Sequence, residues 1–213
     1  MIALFDFDGV LMDTEAQYTF FWNNAGRKHV NIEDFGHVIK GQTLNQIFSK
    51  YFSDYTPEEI AEIERSIDEF EASMDYSFVP GAVEFLTELK SAGIRSAIVT
   101  SSNSRKMSNV YKVHPGLKGM VDRILVSGDF SRSKPDPECF IRGMELLGAT
   151  PYETVVFEDS LHGIAAGRAS GAFVVGLATT NKREVIGPLC DMVIDDFQGL
   201  TLEKLASLMA GRR

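Results

Sequence analysis

Cysteine is scarce: Cys139 and Cys190 are the only two in 213 residues, far apart and without a CxxC spacing. Cys139 falls within an apolar helical pattern, which points to a buried thiol rather than a disulfide or a zinc ligand. Positive charge is short as well. Lys and Arg number 21 against 30 Asp and Glu, for a formal net charge of −9 and a pI near 5.0. A field of that sign argues against nucleic acid or an anionic membrane as a partner. Long apolar runs are missing. None approaches the ~20 residues of a membrane span, and the N-terminus lacks a basic region followed by an apolar run. The expectation is a soluble, cytoplasmic protein. Internal repeats and low-complexity tracts are absent too.

What is present is an ordinary globular composition. Hydrophobic residues make up 44% and charged residues 24%, enough for one good core plus a modest insertion. From residue 80 onward strand and helix alternate. Pro80-Gly81 opens a helix carrying Val83, Phe85, Leu86 and Leu89, and Gly93 closes it. Residues 94–99 read as a buried strand, and another apolar run spans 121–126. A helix from Asp136-Pro137 to Gly148 carries Phe140, Ile141, Met144 and Leu147 on one face. A strand at 155–157, a small-residue helix at 161–170 and strands at 173–177 and 192–194 complete the rhythm. The fold class is therefore α/β, with a doubly wound parallel sheet. Residues 15–75 break the pattern with helical stretches at 15–25, 43–52 and 57–74. The last has Thr56 as its N-cap and Ile60, Ile63, Ile67 and Phe70 as its apolar stripe.

Chemistry gathers where core strands end. Residues 4–14 read LFDFDGVLMDT, so Asp6 and Asp8 project to one side of an extended strand while Phe7 points away. Like charges that close need a cation or a shared proton, which suggests a hard metal ion, a nucleophilic carboxylate, or both. The next strand runs into Thr100, Ser101 and Ser102, hydroxyls at a helix start that suit a phosphate. A later loop supplies Lys134, and the strand VVFEDS supplies Glu158 and Asp159. Each piece has a plainer reading alone: a turn at Asp8-Gly9, a helix cap at 100–103, a solvated lysine, acids against a helix dipole. Their joint position on the carboxyl rim of one parallel sheet favours a shared site for a phosphate and a divalent cation.

The set DFDGV, VTSS, KPDP and FEDS resembles the haloacid dehalogenase superfamily of phosphohydrolases, in order and spacing over essentially the whole chain. It is most similar to the branch of β-phosphoglucomutase-like and phosphoglycolate-phosphatase-like enzymes. The resemblance implies a Rossmann-like core of residues 1–14 and 77–213, and an inserted α-helical cap of residues 15–76. It implies that Asp6 attacks phosphorus, that Asp8 acts as general acid and base, and that Thr100, Ser101 and Lys134 hold the phosphate. Magnesium would be bound by the Asp6 carboxylate, the Asp8 carbonyl and Asp159, with Glu158 orienting a bound water or Asp159. The substrate would be a small phosphorylated metabolite, and the branch is often monomeric.

The cap region carries the choice of ester. Mutases of this branch have a histidine and an arginine where this chain places Tyr18 and Leu44. A leucine supplies no bidentate phosphate clamp, which favours a phosphatase over the alternative, a phosphosugar mutase. Lys40 and Tyr18 are the substrate candidates, with Trp22, Gln42 and Asn45 as further cap positions. His162 receives no role, and Arg105 and Lys106 read as solvated. Two readings from other classes remain: a phospho-accepting receiver and a non-catalytic binding protein.

Overall fold

The computed structural model describes residues 1–211. Six strands form one fully parallel sheet: β1 (Ile2–Phe5), β2 (Ser96–Val99), β3 (Arg123–Leu125), β4 (Thr154–Glu158), β5 (Phe173–Leu177) and β6 (Met192–Ile194). Their order is β3-β2-β1-β4-β5-β6, with Phe5 opposite both Ile98 and Phe157. The chain winds one way from β1 and the other way from β4, so the switch point lies between these two strands. Ligands bind at such a crevice because the loops on either side diverge.

Alternation along β1 explains why both faces are covered. Ala3 and Phe5 belong to one apolar cluster, and Ile2 and Leu4 to another on the opposite face. The first is roofed by α5 (Ala82–Ser91), α6 (Ser104–Val113) and α10 (Leu202–Ala210). The second is roofed by α7 (Glu138–Leu147), with Ala166 of α8 (Leu161–Ala169). A short α9 (Arg183–Ile186) covers the β5–β6 end. Phe5 stacks on Phe157 with ring centroids 4.6 Å apart, while Phe85 and Phe197 close around the pair.

The expected elements from residue 80 onward are all present: β5 and β6 have the expected bounds, β4 extends one residue further at each end, and β2, β3 and α7 are shorter than expected. Ile141 is a correction: it is exposed, and Cys139, Phe140, Gly143, Met144 and Leu147 form the buried face of α7. A stripe through 140, 144 and 147 leaves 141 about 100° round the helix. Cys139 is buried and free, as its pattern implied.

Between β1 and α5 the chain forms only helices: α1 (Glu15–Ala25), α2 (Phe35–Val38), α3 (Leu44–Tyr51) and α4 (Pro57–Ser73). Thr43 and Thr56 cap α3 and α4 through reciprocal bonds with Gln46 and Glu59. The four-residue α2 had no signal in the periodicity. These helices pack around a cluster of their own, centred on Trp22, Phe35, Ile47, Phe52, Ile63 and Ile67. Their two connections to the sheet run side by side, Asp13 N–H donating to Ser77 and Val79 N–H to Leu11, each at 2.9 Å. Among the described residues, no helix is long and apolar enough to cross a membrane.

Phe157→Ala should cost about 3–5 kcal/mol, because it empties the centre of a four-ring cluster that cannot collapse around it. Urea denaturation of the variant checks this, and an unchanged midpoint would place the stabilisation elsewhere.

Candidate active site

Asp6 follows β1 directly, and its N–H donates to the Phe157 carbonyl at 3.0 Å. That bond seats its side chain at the switch point, beside the end of β4 where Glu158 and Asp159 lie. Ligand oxygens of these three buried acids fall within 4.8 Å of one another. Lys134 reaches them from the loop before α7. Its Nζ donates to Asp6 Oδ1 at 2.7 Å, to Glu158 Oε1 at 2.6 Å and to the Val99 carbonyl at 3.3 Å. Burial works against this cation, but Asp6 and Glu158 outweigh it and raise its pKa.

The acids respond in the other direction. Burial pushes the Asp6 carboxyl up to about 7; Lys134 opposes the rise, and Glu158 and Asp8 add to it. Burial, with Glu15 and Glu158 nearby, pushes Asp159 well above the carboxylate range. One lysine does not balance three converging carboxyls, so the cluster lacks positive charge. Oxygen donors and a charge deficit at this spacing fit a hard divalent cation. The residues do not contribute equally. Glu158 Oε2 already accepts the N–H groups of Asp159 and Ser160, at 2.9 and 3.0 Å, and the Ser160 hydroxyl. Asp159 takes one hydrogen bond from Thr180. Gly9 makes room for it: φ there is +72°, and a Cβ would run into the Asp159 carboxylate and the Glu15 side chain.

Asp8 belongs to a separate network. Thr14 Oγ1 donates to its Oδ1 at 2.5 Å, Ser102 Oγ donates to its Oδ2 at 2.9 Å, and Lys106 pairs with it. Burial works against the Asp8 carboxylate, but Lys106 and these hydrogen bonds prevail and its pKa is lowered. Lys106 is therefore a correction to the sequence reading. It is 1% exposed, reaches Ser102 Oγ at 3.0 Å and sits over the Tyr18 ring. Its neighbour Arg105 instead pairs at the surface with Asp68 of α4. The signal was periodicity: Lys106 lies four residues before Val110 and beside Met107, on the buried face of α6.

The loop between β2 and α6 completes the rim. Thr100, 1% exposed, accepts the Ser102 N–H on its hydroxyl at 3.0 Å. Asn103 caps α6 by accepting the Lys106 N–H. Ser101 Oγ is, among the described residues, the one buried side-chain polar atom without a partner. A buried hydroxyl left unpaired beside a helix N-terminus suits an incoming anion.

A cavity of about 1180 Å³ opens between this rim and the helical block, lined by Asp6, Asp8, Thr100, Ser101, Lys134 and Asp159. From the helical side come Tyr18, Trp22, Lys40, Gln42, Leu44 and Asn45. The structure thus brings every proposed site residue to one space except Glu158, which lies behind Asp6 and Lys134. Lys40 is not free there: its ammonium pairs with Glu15. Its carbonyl accepts the Nδ1–H of His162 at 2.8 Å, which gives His162 a positioning contact. Tyr18 donates to Glu71 Oε1 at 2.7 Å, and burial followed by Asp8 and Glu71 raises its pKa. Glu71, buried on α4, escaped the sequence reading because an acid is ordinarily solvated, although it lies four residues after Ile67 on the buried stripe of that helix.

Comparison with known proteins finds relatives over most of the chain. A family described as haloacid dehalogenase-like hydrolase matches residues 3–177. Validoxylamine A 7'-phosphate phosphatase of Streptomyces hygroscopicus subsp. limoneus is 28% identical over 92% of this chain and 93% of its own. Hexitol phosphatase A of Escherichia coli is 28% identical over 94% and 93%. The crystal structure of a β-phosphoglucomutase from Clostridium difficile superposes with a TM-score of 0.82 at 24% identity. It covers 100% of this chain and 99% of that one.

Lys106→Ala should destabilise the protein by about 3–5 kcal/mol, since it strands a largely buried Asp8 charge. Adding Asp8→Asn should recover much of that loss, and a denaturant double-mutant cycle measures the coupling. Purely additive losses would discard the pair.

Proposed function

We infer that this chain, which belongs to the haloacid dehalogenase-like hydrolases, is a magnesium-dependent phosphatase acting on a small phosphorylated metabolite through an aspartyl phosphate. The observation that carries this reading is the Asp6 carboxylate, bound by Lys134 at 2.7 Å within the acid cluster and facing the Thr100–Ser101 loop. Two of the similar proteins are named as phosphatases. We read residues 1–14 and 77–213 as the catalytic core and residues 15–76 as a cap over it.

Asp6 attacks phosphorus and the ester oxygen departs, so one hard displacement becomes two easier ones. Asp8 gives the leaving oxygen its proton and later removes one from the water that cleaves the aspartyl phosphate. To do so it must first hold that proton, so the grip of Lys106, Thr14 and Ser102 has to loosen as substrate enters. Thr100 and Ser101 hold phosphate oxygens, and Lys134 balances the charge that builds on them. Asp6, Asp159 and the Asp8 carbonyl would hold magnesium, which when bound offsets phosphate charge and orients the ester. We assign Glu158 to anchoring Lys134 and the turn into α8 rather than to the ion, because its oxygens are already taken.

Hydrolysis is favoured over mutase chemistry by what stands opposite Asp6. Leu44 offers no second phosphate clamp, the Tyr18 hydroxyl is committed to Glu71, and no histidine lines the cavity among the described residues.

Asp6→Asn should stay folded and turn over p-nitrophenyl phosphate at background rate, with magnesium present and after chelation alike. Retained activity would refute the nucleophile. Asp8→Asn should slow alkyl phosphates more than nitrophenyl phosphate, whose leaving group needs no proton; equal losses would remove Asp8 as the acid. Supplying glucose 1-phosphate with its bisphosphate separates the classes. Free phosphate over many turnovers supports hydrolysis, isomerised sugar without free phosphate a mutase, and a single stable adduct a receiver.

A further inference from the structure

We propose that Glu71 is a positioning residue for the general acid: it receives the Lys106 ammonium when substrate enters, and so vacates Asp8 for the leaving oxygen. This rests on the phosphatase reading and adds a step to the working of the same site.

The need arises from how fully Asp8 is occupied. Thr14 and Lys106 fill its Oδ1 and Ser102 fills its Oδ2, so neither oxygen is open to an ester. Thr14 and Ser102 present hydroxyls, which can turn and accept as well as donate. An ammonium only donates, and it covers its oxygen until it leaves. Lys106 is 1% exposed, and a buried lysine that leaves one acid needs another.

Glu71 is placed to be that acid. Arg105 and Lys106 are neighbours on α6, while Asp68 and Glu71 lie three residues apart on α4 and share a face. The outer pair is made, Arg105 to Asp68. The inner pair is not. Glu71 is 5% exposed, and among the described residues its carboxylate takes one hydrogen bond, from Tyr18. Lys106 spends two of its three donors, on Asp8 and Ser102. The unspent donor and the unspent acceptors border one cavity, which Asp8, Tyr18, Glu71 and Lys106 all line. Tyr18 stands between them: Lys106 Nζ lies 4.5 Å from its ring centroid, and its hydroxyl reaches Glu71. An aromatic face attracts a cation, so the ammonium stays stabilised as it crosses. Burial pushes the Glu71 carboxyl up and Lys106 opposes the rise, which puts the two within electrostatic reach.

The exchange breaks no covalent bond; Lys106 swings from Asp8 to Glu71 by rotation within its side chain. Asp8 then carries the proton that its acid role already requires, taken up from solvent. Because α4 belongs to the helical block and α6 to the sheet, the new pair also draws the block against the sheet while the ester is held.

The test compares phenyl phosphate with p-nitrophenyl phosphate at saturating magnesium. The two esters differ little in size, but phenoxide is the more basic leaving group and needs the proton more. Glu71→Gln keeps an acceptor for Tyr18 and removes the charge. It should lower kcat on phenyl phosphate by about tenfold and on p-nitrophenyl phosphate by about twofold, with both KM values held. Glu71→Asp, which keeps the charge, should recover most of the loss, and Asp68→Asn, which breaks only the outer pair, should leave the ratio of the two rates in place. Equal losses on both esters, or a change confined to KM, would make Glu71 a structural residue and overturn the proposal. A crystal structure of Asp6→Asn with magnesium and phenyl phosphate decides the matter even if Glu71→Gln does not fold. Lys106 Nζ should lie within hydrogen-bond distance of Glu71 there, and Lys106 still on Asp8 would sink the exchange. If the unaltered protein hydrolyses neither ester, the phosphatase reading fails; if it hydrolyses both and the ratio does not move in Glu71→Gln, only the exchange fails.

Discussion

The rest of this structure is arranged around a charge imbalance at the crevice between β1 and β4. Three buried acids from two adjacent strands meet there, and among the described residues Lys134 is the one cation paired with them. Removing such charges from water is expensive unless partners replace the lost hydration. The sheet supplies partners through its loops: Lys134 from before α7, backbone N–H groups at the start of α8, and Thr180 after β5. What the protein leaves uncompensated is negative charge, which a divalent cation would offset.

Two neighbouring acids are thereby set to different tasks. Asp6 and Asp8 are separated by one residue, yet Asp6 faces Lys134 and Asp8 faces Lys106. Burial dominates at Asp6 and raises its pKa, whereas a cation and three hydrogen bonds dominate at Asp8 and lower it. β1 ends at Phe5, before both acids, and the chain turns at Gly9 immediately after Asp8. The helical block then reaches back over the rim, with the Tyr18 ring against Lys106 and its hydroxyl bonded to Glu71. A charged pair so covered is partly shielded from water, which strengthens it.

Much of this was legible in the chain. Continuous apolar runs and period-3.6 patterns located the strands of the sheet and the longer helices, because both faces of β1 and one face of each helix must be apolar. The strand-end motifs located the acids, the hydroxyls and Lys134, since a parallel sheet sends all its carboxyl ends to one rim. Lys106 was misread because a lysine is ordinarily solvated, although its place on the inner stripe of α6 gave it away. Glu71 went unread for the same reason, although it follows Ile63 and Ile67 at helical spacing on the inner stripe of α4, and the four-residue α2 is too short for a periodic signal. Lys40 was located near the mouth, but its pairing with Glu15, 25 residues earlier, depends on how α1 and the following loop fold together.

The amino-acid order by itself determined which residues are available for chemistry and on which side of the sheet they emerge, because strand alternation and right-handed crossovers leave little freedom. Only the tertiary structure decided which cation pairs with which acid, and so which charges remain free to meet a substrate. Pairing of that kind depends on ångström distances between segments far apart in sequence, where burial amplifies each contact, and no local pattern encodes it.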